Sequence, residues 1–507
     1  MKQPNQPVQR MTRQIAKGGV IALVGQLGAK VIHLLLQILL TRVLGAGGYG
    51  LYTLGLSTMQ TVQTFSLCGL QNGVTRFGAA FRAEGDTRRL NETINVALTI
   101  SFLVSAATGI LLFFLSDSIA AAVFAKLDLA LPLRLFAVSL PFYAFVVVVS
   151  HTVRVFRRME FDVVLRQVFH PLATLLLAGL GFLLGFRLMG VVFAFLISSV
   201  VAFGIGLYLL TRAFPGFRFR LAFSAGPPGL LPYSLTVLLS GVLYLLVGRA
   251  DRIMLGIFRP AEAVGVYGAS AAMAVQATIF LTAFSAIFSP VMAELFRRGS
   301  AVELGKLLKA TTRWIVTLTL PVVLVLTIFA RPIMGLFGLG FREDYLVLIV
   351  LAVSYSVNAA TGLVGVVLIM SGRERLELLN NLALGGLNVA LNLLMIPKYG
   401  VLGAAVATGA SIVLVNLTKL IEVYALYRVH SYTLSYWKPV VAAGCSVGVW
   451  KMLSCTGCLE GRRWLIGVVA VGVTYLAVLA MVGLDAEDKE ILAASWARLR
   501  RSPSRRK

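Results

Sequence analysis

The chain is dominated by apolar stretches of about 20 residues, a length that crosses the ~30 Å hydrocarbon core of a bilayer as an α-helix. A mean hydropathy of +0.87 and only 13% charged residues argue against a soluble fold. The fourteen predicted membrane spans are residues 15–40, 51–71, 93–115, 131–150, 167–186, 188–210, 230–248, 265–289, 313–330, 346–370, 381–397, 401–418, 439–455 and 464–484.

A motif in the first half of the chain returns in the second half. The segment LLTRVLGAGGYGLYTLG, which contains Gly45 and Tyr52, resembles ADRIMLGIFRPAEAVGVYGAS, which contains Gly256 and Tyr267. The two glycines are 211 residues apart and the two tyrosines 215. In so hydrophobic a chain, a repeat of this length predicts two homologous halves of a transporter with a site between them.

The repeat sets the predicted domain boundaries. Residues 1–212 are expected to form a lobe of helices 1–6, and residues 213–430 a second lobe of helices 7–12. Residues 431–484 add two transmembrane helices, and residues 485–507 form a basic cytoplasmic tail. The predicted fold class is an all-α polytopic membrane protein with about 14 transmembrane helices, in two pseudo-symmetric six-helix lobes plus two C-terminal helices. A monomer is expected, because both lobes are in one chain.

The basic residues are distributed unevenly. The formal net charge of +25 would by itself be compatible with nucleic-acid binding. If the N-terminus is inside, however, the inner segments carry 32 Lys and Arg residues and the outer segments 13. This is the positive-inside bias of a cytoplasmic (inner) membrane protein with both termini cytoplasmic. We therefore predict that the basic tail contacts lipid headgroups and that the protein has no nucleic-acid partner.

Motifs of enzymes and of metal sites are missing from the sequence. It contains no strand-linked G-x-G-x-x-G, no G-x-x-x-x-G-K-[ST] and no H-E-x-x-H, and its acidic residues are scattered. We therefore predict a transporter without a catalytic centre or cofactor, and no metal beyond Na⁺. Cys455 and Cys458 form a C-x-x-C on the predicted outer side, and the sequence leaves open whether they form a disulfide.

Polar side chains within the predicted spans are the candidates for function, because they are costly in a bilayer. The first span carries four of them at the spacing i, i+4, i+7 and i+11, which is one face of a helix: Gln26, Lys30, His33 and Gln37. Helix–helix hydrogen bonding would explain a single amide there. A mid-span lysine on the same face favours a polar cavity.

The seventh span ends in three charged residues, Arg249, Asp251 and Arg252. They fit either an ion pair at the outer interface, with the arginines reaching toward water, or a substrate cavity. Asp251, the amides of Asn388 and Asn392 and the Thr408 hydroxyl would also suit a small cation, because hard cations prefer oxygen ligands. Hydrogen bonding between helices is the alternative for the asparagines.

Three segments, in this order along the chain, carry a family resemblance: RVLGAGGYGLY from Arg42, DRIMLGIF…EAVGVY from Asp251, and IPKYGVLGAAVAT from Ile396. They resemble the polysaccharide-biosynthesis (O-antigen-type) flippases of the multidrug/oligosaccharidyl-lipid/polysaccharide exporter superfamily. The third segment is the most specific of the three. The resemblance covers nearly the whole chain.

The resemblance implies two six-helix lobes, two extra C-terminal helices and alternating access. It implies a polyprenyl-pyrophosphate-linked oligosaccharide as substrate, moved from the inner to the outer leaflet. The sequence leaves open whether a glycan polymerase or glycosyltransferases are partners. Lys30 is then the best candidate to bind the anionic headgroup in the membrane. Arg76, at the inner end of span 2, and Arg249 and Arg252, at the outer end of span 7, would receive it on the two faces.

Some members of the superfamily couple transport to Na⁺ or H⁺, so the expected driving force is an ion gradient or the membrane potential. Sodium-binding relatives use a carboxylate on span 7, an Asn-x-x-x-Asp pair on span 11 and a threonine on span 12. The corresponding positions here are Asp251, Asn388, Asn392 and Thr408. Because Asn392 stands where those relatives carry a carboxylate, a lower cation affinity is expected.

Two other functions are compatible with the class of fold. One is a multidrug or organic-cation antiporter of the same superfamily, which is expected to present acidic residues to its cavity. The other is a membrane enzyme of glycan assembly, which would need a catalytic constellation. The cationic side chains of this sequence favour the flippase, and no motif identifies the glycan.

Overall fold

The computed structural model of the protein describes residues 6–156, 158–224, 226–298, 301–455 and 464–483, with side chains in the first helix from Gly28 onward. Every regular element within these ranges is helical, which confirms the all-α fold class. The chain divides into two compact units, Met1–Gly268 and Ala269–Lys507. The repeat places its boundary after residue 212, so the predicted lobes stay a prediction.

The first unit begins with a long helix and ends in a helix that continues past the unit boundary. In chain order its helices are α1 (Gln6–Ser66), α2 (Leu70–Glu84), α3 (Thr87–Ser118), α4 (Ala130–Val155), α5 (Met159–Asp162), α6 (His170–Leu183), α7 (Leu188–Ala213), α8 (Leu230–Phe258) and α9 (Ala261–Ala274). Small residues allow close packing: a Cβ on Gly109 of α3 would meet the carbonyl oxygen of Ala137 on α4 at 2.8 Å. Such contacts suit membrane helices, which associate by close van der Waals packing.

The second unit contains the other long helix of the protein. Its helices are α10 (Ile279–Arg297), α11 (Ala301–Ile328), α12 (Ala330–Phe337), α13 (Leu339–Arg342), α14 (Tyr345–Ala360), α15 (Val364–Met370), α16 (Glu374–Tyr427), α17 (Trp437–Cys455) and α18 (Trp464–Val482). Cys455 is an exposed thiol at the end of α17, and Cys458 lies outside the described residues. The predicted tail, residues 485–507, also lies outside them.

Within the described ranges, nine helices are long and apolar enough to cross a membrane, or ten if the bent pair α14 and α15 is one span. One of the nine, Glu374–Tyr427, contains two predicted spans, 381–397 and 401–418, and another, Gly28–Ser66, overlaps two, 15–40 and 51–71. At 1.5 Å per residue a straight helix of 54 residues would be about 80 Å long, more than twice the bilayer core. Each long helix therefore needs a break to serve as two crossings.

Glycine provides that break in both long helices. Gly45 in α1 has φ 67° and ψ −177°, and Gly400 in α16 has φ 59° and ψ −130°. These angles are nearly restricted to glycine. In α16 the chain turns back on itself at Gly400, and hydrogen bonds join the two halves of the helix. Asn388 Nδ2 donates to Thr408 Oγ1 at 3.1 Å, and Asn380 Nδ2 donates to Glu422 Oε2 at 2.6 Å.

Replacing Gly400 by Ala is expected to destabilise the protein by about 1–3 kcal/mol, because the β-carbon disfavours the backbone angles at the turn. The measurement is the thermal unfolding midpoint of the purified protein. Gly386→Ala is the matched control, since a Cβ there would meet nothing within 4 Å and alanine favours the helix. Equal midpoints for the two variants would contradict the role assigned to Gly400.

The two copies of the repeated motif pack directly against each other inside the first unit. A Cβ on Gly50 would overlap the carbonyl oxygen of Ala261, and a Cβ on Gly265 would overlap that of Ala46. The two glycines, Gly50 and Gly265, are 215 residues apart in sequence, and so are the two alanines, Ala46 and Ala261. Equivalent residues of the repeat therefore make equivalent contacts. Such reciprocity is the hallmark of a two-fold relation, and the small-x-x-x-small spacing lets the backbones of α1 and α9 approach closely.

Candidate functional site

The polar face predicted for the first span lies on α1. Lys30 and His33 are exposed and Gln37 is half-buried, whereas the side chain of Gln26 lies outside the described residues. Lys30 has no hydrogen-bond or ion-pair partner among the residues that the structure describes. Its ammonium group is therefore available to a ligand.

Helix α8 brings two of the predicted arginines to α1. Arg249 Nη1 donates a 3.2 Å hydrogen bond to the carbonyl oxygen of Gln60. Arg252 is half-buried, and its charge acts on the hydroxyl of buried Tyr49, which also interacts with the side chain of Gln37. The structure thus brings Gln37 and Arg252 to the same tyrosine, although they are far apart in sequence.

The carboxylate of Asp251 points to a different neighbour. Asp251 is only 5% exposed, belongs to the first unit and accepts a 2.5 Å hydrogen bond from the hydroxyl of Tyr267 on α9. A buried carboxylate requires such partners, because desolvation of the charge is costly. The bond therefore joins α8 to α9 and holds the repeated tyrosine in place.

The first unit also contains a cluster of aromatic and polar side chains around His170, which the sequence analysis did not predict. The ring of His170 lies 5.1 Å from that of Tyr143 and 4.9 Å from that of Phe195, and its Nε2 is 3.0 Å from Ser199 Oγ. His33 is close enough for its charge to act on His170. The sequence gives no local signal for this cluster, because its members come from four different helices.

Arg76 lies at the other end of the first unit. It is exposed on α2, and its guanidinium lies 4.4 Å from the ring centroid of Tyr233 on α8. This is a cation–π contact, which holds an arginine without neutralising its charge. Arg76 forms no ion pair within the described part of the chain.

A buried carboxylate organises further arginines near that end. Asp162 accepts from Arg154 Nε at 3.0 Å and Nη2 at 2.6 Å, and Arg166 Nε lies 3.5 Å from its other oxygen. Two arginines on one buried carboxylate leave a local excess of positive charge.

The second unit contains the predicted amide cluster on the two halves of α16. Asn392 Nδ2 donates to Asn388 Oδ1 at 3.0 Å, and Asn388 Nδ2 donates to Thr408 Oγ1 at 3.1 Å. All three side chains are buried. The structure thus brings together three of the four predicted cation ligands in α16, while the fourth, Asp251, belongs to the first unit.

Family membership follows from the sequence. A family model described as "Polysaccharide biosynthesis protein" matches residues 15–296, which is more than half of the chain. The chain belongs to this family. The predicted resemblance to this family is thereby confirmed, and with it a multi-pass membrane protein of polysaccharide biosynthesis. The match includes the segments at Arg42 and Asp251, and the segment at Ile396 lies beyond it. No curated protein matches the chain.

Solved structures of transporters share the fold of this polysaccharide biosynthesis protein. A structure of the lipid II flippase MurJ in an inward closed conformation superposes with a TM-score of 0.73 at 14% identity, over 91% of this chain and 98% of MurJ. An inward-facing multidrug resistance MATE family transporter gives 0.62 at 16% identity, over 80% and 98%. A MOP superfamily transporter from Pyrococcus furiosus gives 0.57 at 18% identity, over 81% and 95%. At these identities the likeness shows the fold alone.

Proposed function

We propose that the protein is a flippase that moves a polyprenyl-pyrophosphate-linked oligosaccharide from the inner to the outer leaflet of the cytoplasmic membrane by alternating access. The observation that carries the proposal is the ammonium group of Lys30 on the first half of α1, which has no hydrogen-bond or ion-pair partner among the described residues, together with Arg249 and Arg252, which reach the second half of α1 from α8. Membership in the polysaccharide biosynthesis family supports the class of substrate.

The chemistry of the substrate explains why fixed cations are needed. A pyrophosphate is anionic, and an unpaired charge in hydrocarbon is costly. Lys30 would bind the headgroup within the membrane, Arg76 would receive it at the inner end, and Arg249 and Arg252 at the outer end. The polyprenyl tail stays in lipid, so no covalent step on the substrate is required and the protein is not an enzyme.

An ion gradient or the membrane potential is the proposed driving force. In the second unit, Asn388, Asn392 and Thr408 offer amide and hydroxyl oxygens to Na⁺. In the first unit, Asp251 offers a carboxylate to Na⁺ or H⁺. The neutral side chain of Asn392 weakens attraction for Na⁺, because it removes a formal charge from the site. No cofactor or other metal is invoked.

The cellular setting is part of the proposal. A monomer in the inner membrane, with both termini cytoplasmic, would receive its substrate from glycosyltransferases and deliver it to a glycan polymerase. The fold similarity to the MATE family transporter keeps an organic-cation antiporter as the second candidate. The cationic side chains of Lys30 on α1 and of Arg249 and Arg252 on α8 favour an anionic substrate over that candidate.

Mass spectrometry of polyprenyl-linked lipids from cells depleted of the protein tests the proposal. One lipid-linked oligosaccharide is expected to accumulate, and its mass identifies the glycan. An unchanged lipid pool together with altered sensitivity to cationic dyes would instead establish the antiporter. Both measurements, of lipids and of dye sensitivity, are made in cells that also lack any redundant flippase.

A further inference from the structure

The connection between α7 and α8 is fastened along one side of α3. Asn91 Nδ2 donates to the carbonyl oxygen of Gly216 at 3.2 Å, and Asn91 Oδ1 accepts from the backbone N–H of Arg218 at 3.2 Å. Asn95 repeats the pattern two residues further along the connection, with the carbonyl oxygen of Arg218 at 2.9 Å and the backbone N–H of Arg220 at 3.1 Å. Each asparagine amide therefore pairs with the connection as the edge of a β-strand would.

The spacing of these contacts sets the conformation of the connection. Residues four apart on a helix are about 6 Å apart along its axis, close to the ~6.6 Å that two residues of an extended chain span. Thr99, one turn of α3 beyond Asn95, accepts from the backbone N–H of Ala222 at 3.2 Å, which continues the same register. Residues 217–223, which we call the strap, are thus held on α3 as an extended segment.

Apolar and basic side chains alternate along the strap, and successive side chains of an extended chain point to opposite faces. Phe217 is 8% exposed, and its ring lies 6.4 Å from that of Phe214. The next three side chains on the same face are uncovered, since Phe219 is 49% exposed, Leu221 63% and Phe223 79%. The strap therefore presents an apolar face that is anchored in the first unit at one end only.

The other face of the strap is cationic. Arg218 and Arg220 are exposed, and neither forms an ion pair with the part of the chain that the structure describes. Glu92 of α3 is half-buried and is not ion-paired with either arginine. Arg88 in the first turn of α3 and Arg212 in the last turn of α7 are also exposed and have no carboxylate partner in that part. This excess of positive charge attracts an anionic partner.

The position of the strap indicates what that partner is. The strap follows α7 and lies against the first turns of α3, and both helices are long and apolar enough to cross a membrane. The backbone N–H and C=O groups of Phe219 and Leu221, on the edge away from α3, have no hydrogen bond among the described residues. Hydrocarbon does not tolerate unpaired backbone groups, so the strap belongs in the layer of water and lipid headgroups.

We propose that the strap is a binding site for the headgroups of anionic lipids. Phe219, Leu221 and Phe223 lie at the boundary of the acyl chains, and Arg218 and Arg220 bind the headgroup phosphates, which match the fork of a guanidinium group. The hydrogen bonds of α3 hold both arginines in place before a lipid binds. The site is separate from the residues assigned to the glycan substrate and goes beyond the proposed function.

Fluorescence quenching in liposomes tests the proposal with the full-length protein. A bimane label on Leu221→Cys, in a background without other cysteines, reports on the lipids that reach the strap. The vesicles contain phosphatidylcholine with an increasing fraction of phosphatidylglycerol, and one of the two lipids at a time carries bromine on its acyl chains. Quenching then gives the association constant of phosphatidylglycerol relative to phosphatidylcholine. We expect a preference of about 25-fold, which is about fivefold for each arginine.

The variants of this labelled protein remove the charges one at a time. Arg218→Gln and Arg220→Gln are each expected to lower the preference by about fivefold. Arg187→Gln is the matched control, because Arg187 is an exposed arginine at the opposite end of α7. A variant with both Arg218→Lys and Arg220→Lys should retain most of the preference, since its charge is unchanged.

Two results would overturn the proposal. One is an equal lipid preference in Arg187→Gln and the two strap variants. The other is a label that bromine does not quench and that emits as it does in water, which would leave a peptide as the occupant of the free strap edge. Asn95→Leu tests whether the site is built by α3, because it keeps both arginines and removes two hydrogen bonds of the strap. Its preference should fall, and an unchanged preference would show that scattered charge alone attracts the lipid.

Discussion

Replacing Lys30 or Arg252 by Gln is expected to lower translocation of the lipid-linked oligosaccharide by about tenfold to 100-fold each. A charge-assisted hydrogen bond contributes about 1.5–3 kcal/mol, and each 1.36 kcal/mol corresponds to about a tenfold change in rate. Glutamine keeps a polar side chain, so the change removes chiefly the charge. The measurement is the amount of lipid-linked oligosaccharide that remains in depleted cells complemented with each variant.

The control for both substitutions is Arg187→Gln. Arg187 is exposed in the connection between α6 and α7, so its loss should leave transport at the wild-type level. Lys30→Arg should restore most of the activity that Lys30→Gln loses, because the positive charge returns. Wild-type lipid levels in cells carrying Lys30→Gln and Arg252→Gln together would reject the assignment of these cations to the substrate.

Hydropathy predicts where the helices lie but not where they break. The predicted spans 93–115 and 188–210 correspond to α3 and α7, because the thickness of the hydrocarbon core sets a minimum apolar length. Span 346–370 is one apolar stretch in sequence and two helices bent by 45° in the structure. Gly362, with φ 74°, lies at that bend, and hydropathy carries no information on backbone angles.

The candidate sites show the same limit. Helical periodicity correctly places Asn388 and Asn392 on one face of α16, because their spacing depends only on the helix itself. Their partner Thr408 is on the other half of the hairpin, and the ion pair of Glu377 with Lys419 joins residues 42 positions apart. Such pairs depend on the turn at Gly400, which the sequence predicts only as a gap between two spans.

Gly50→Ala is expected to be the most disruptive single-methyl change in the first unit. The new Cβ would overlap the backbone carbonyl oxygen of Ala261, and a backbone atom cannot move aside as a flexible side chain can. Overpacking of this kind costs about 1–3 kcal/mol, and the rigid neighbour places Gly50 at the upper end. Gly265→Ala should have a similar effect, because its Cβ would overlap the equivalent carbonyl oxygen of Ala46.

The comparison that isolates this contact is Gly179→Ala, a glycine of α6 around which a Cβ would meet nothing within 4 Å. That variant should unfold at the wild-type temperature or above it, because alanine favours a helix over glycine. In a cysteine-free background, a cysteine at buried Thr53, on the same helix as Gly50, should become more reactive toward thiol reagents in Gly50→Ala alone. If the unfolding midpoint and the thiol reactivity of Gly50→Ala match those of Gly179→Ala, the packing of α1 against α9 does not depend on the glycine contact. If they differ, each copy of the repeated motif is the packing surface of the other, which explains why both copies need glycine at the same position, Gly50 in one and Gly265 in the other.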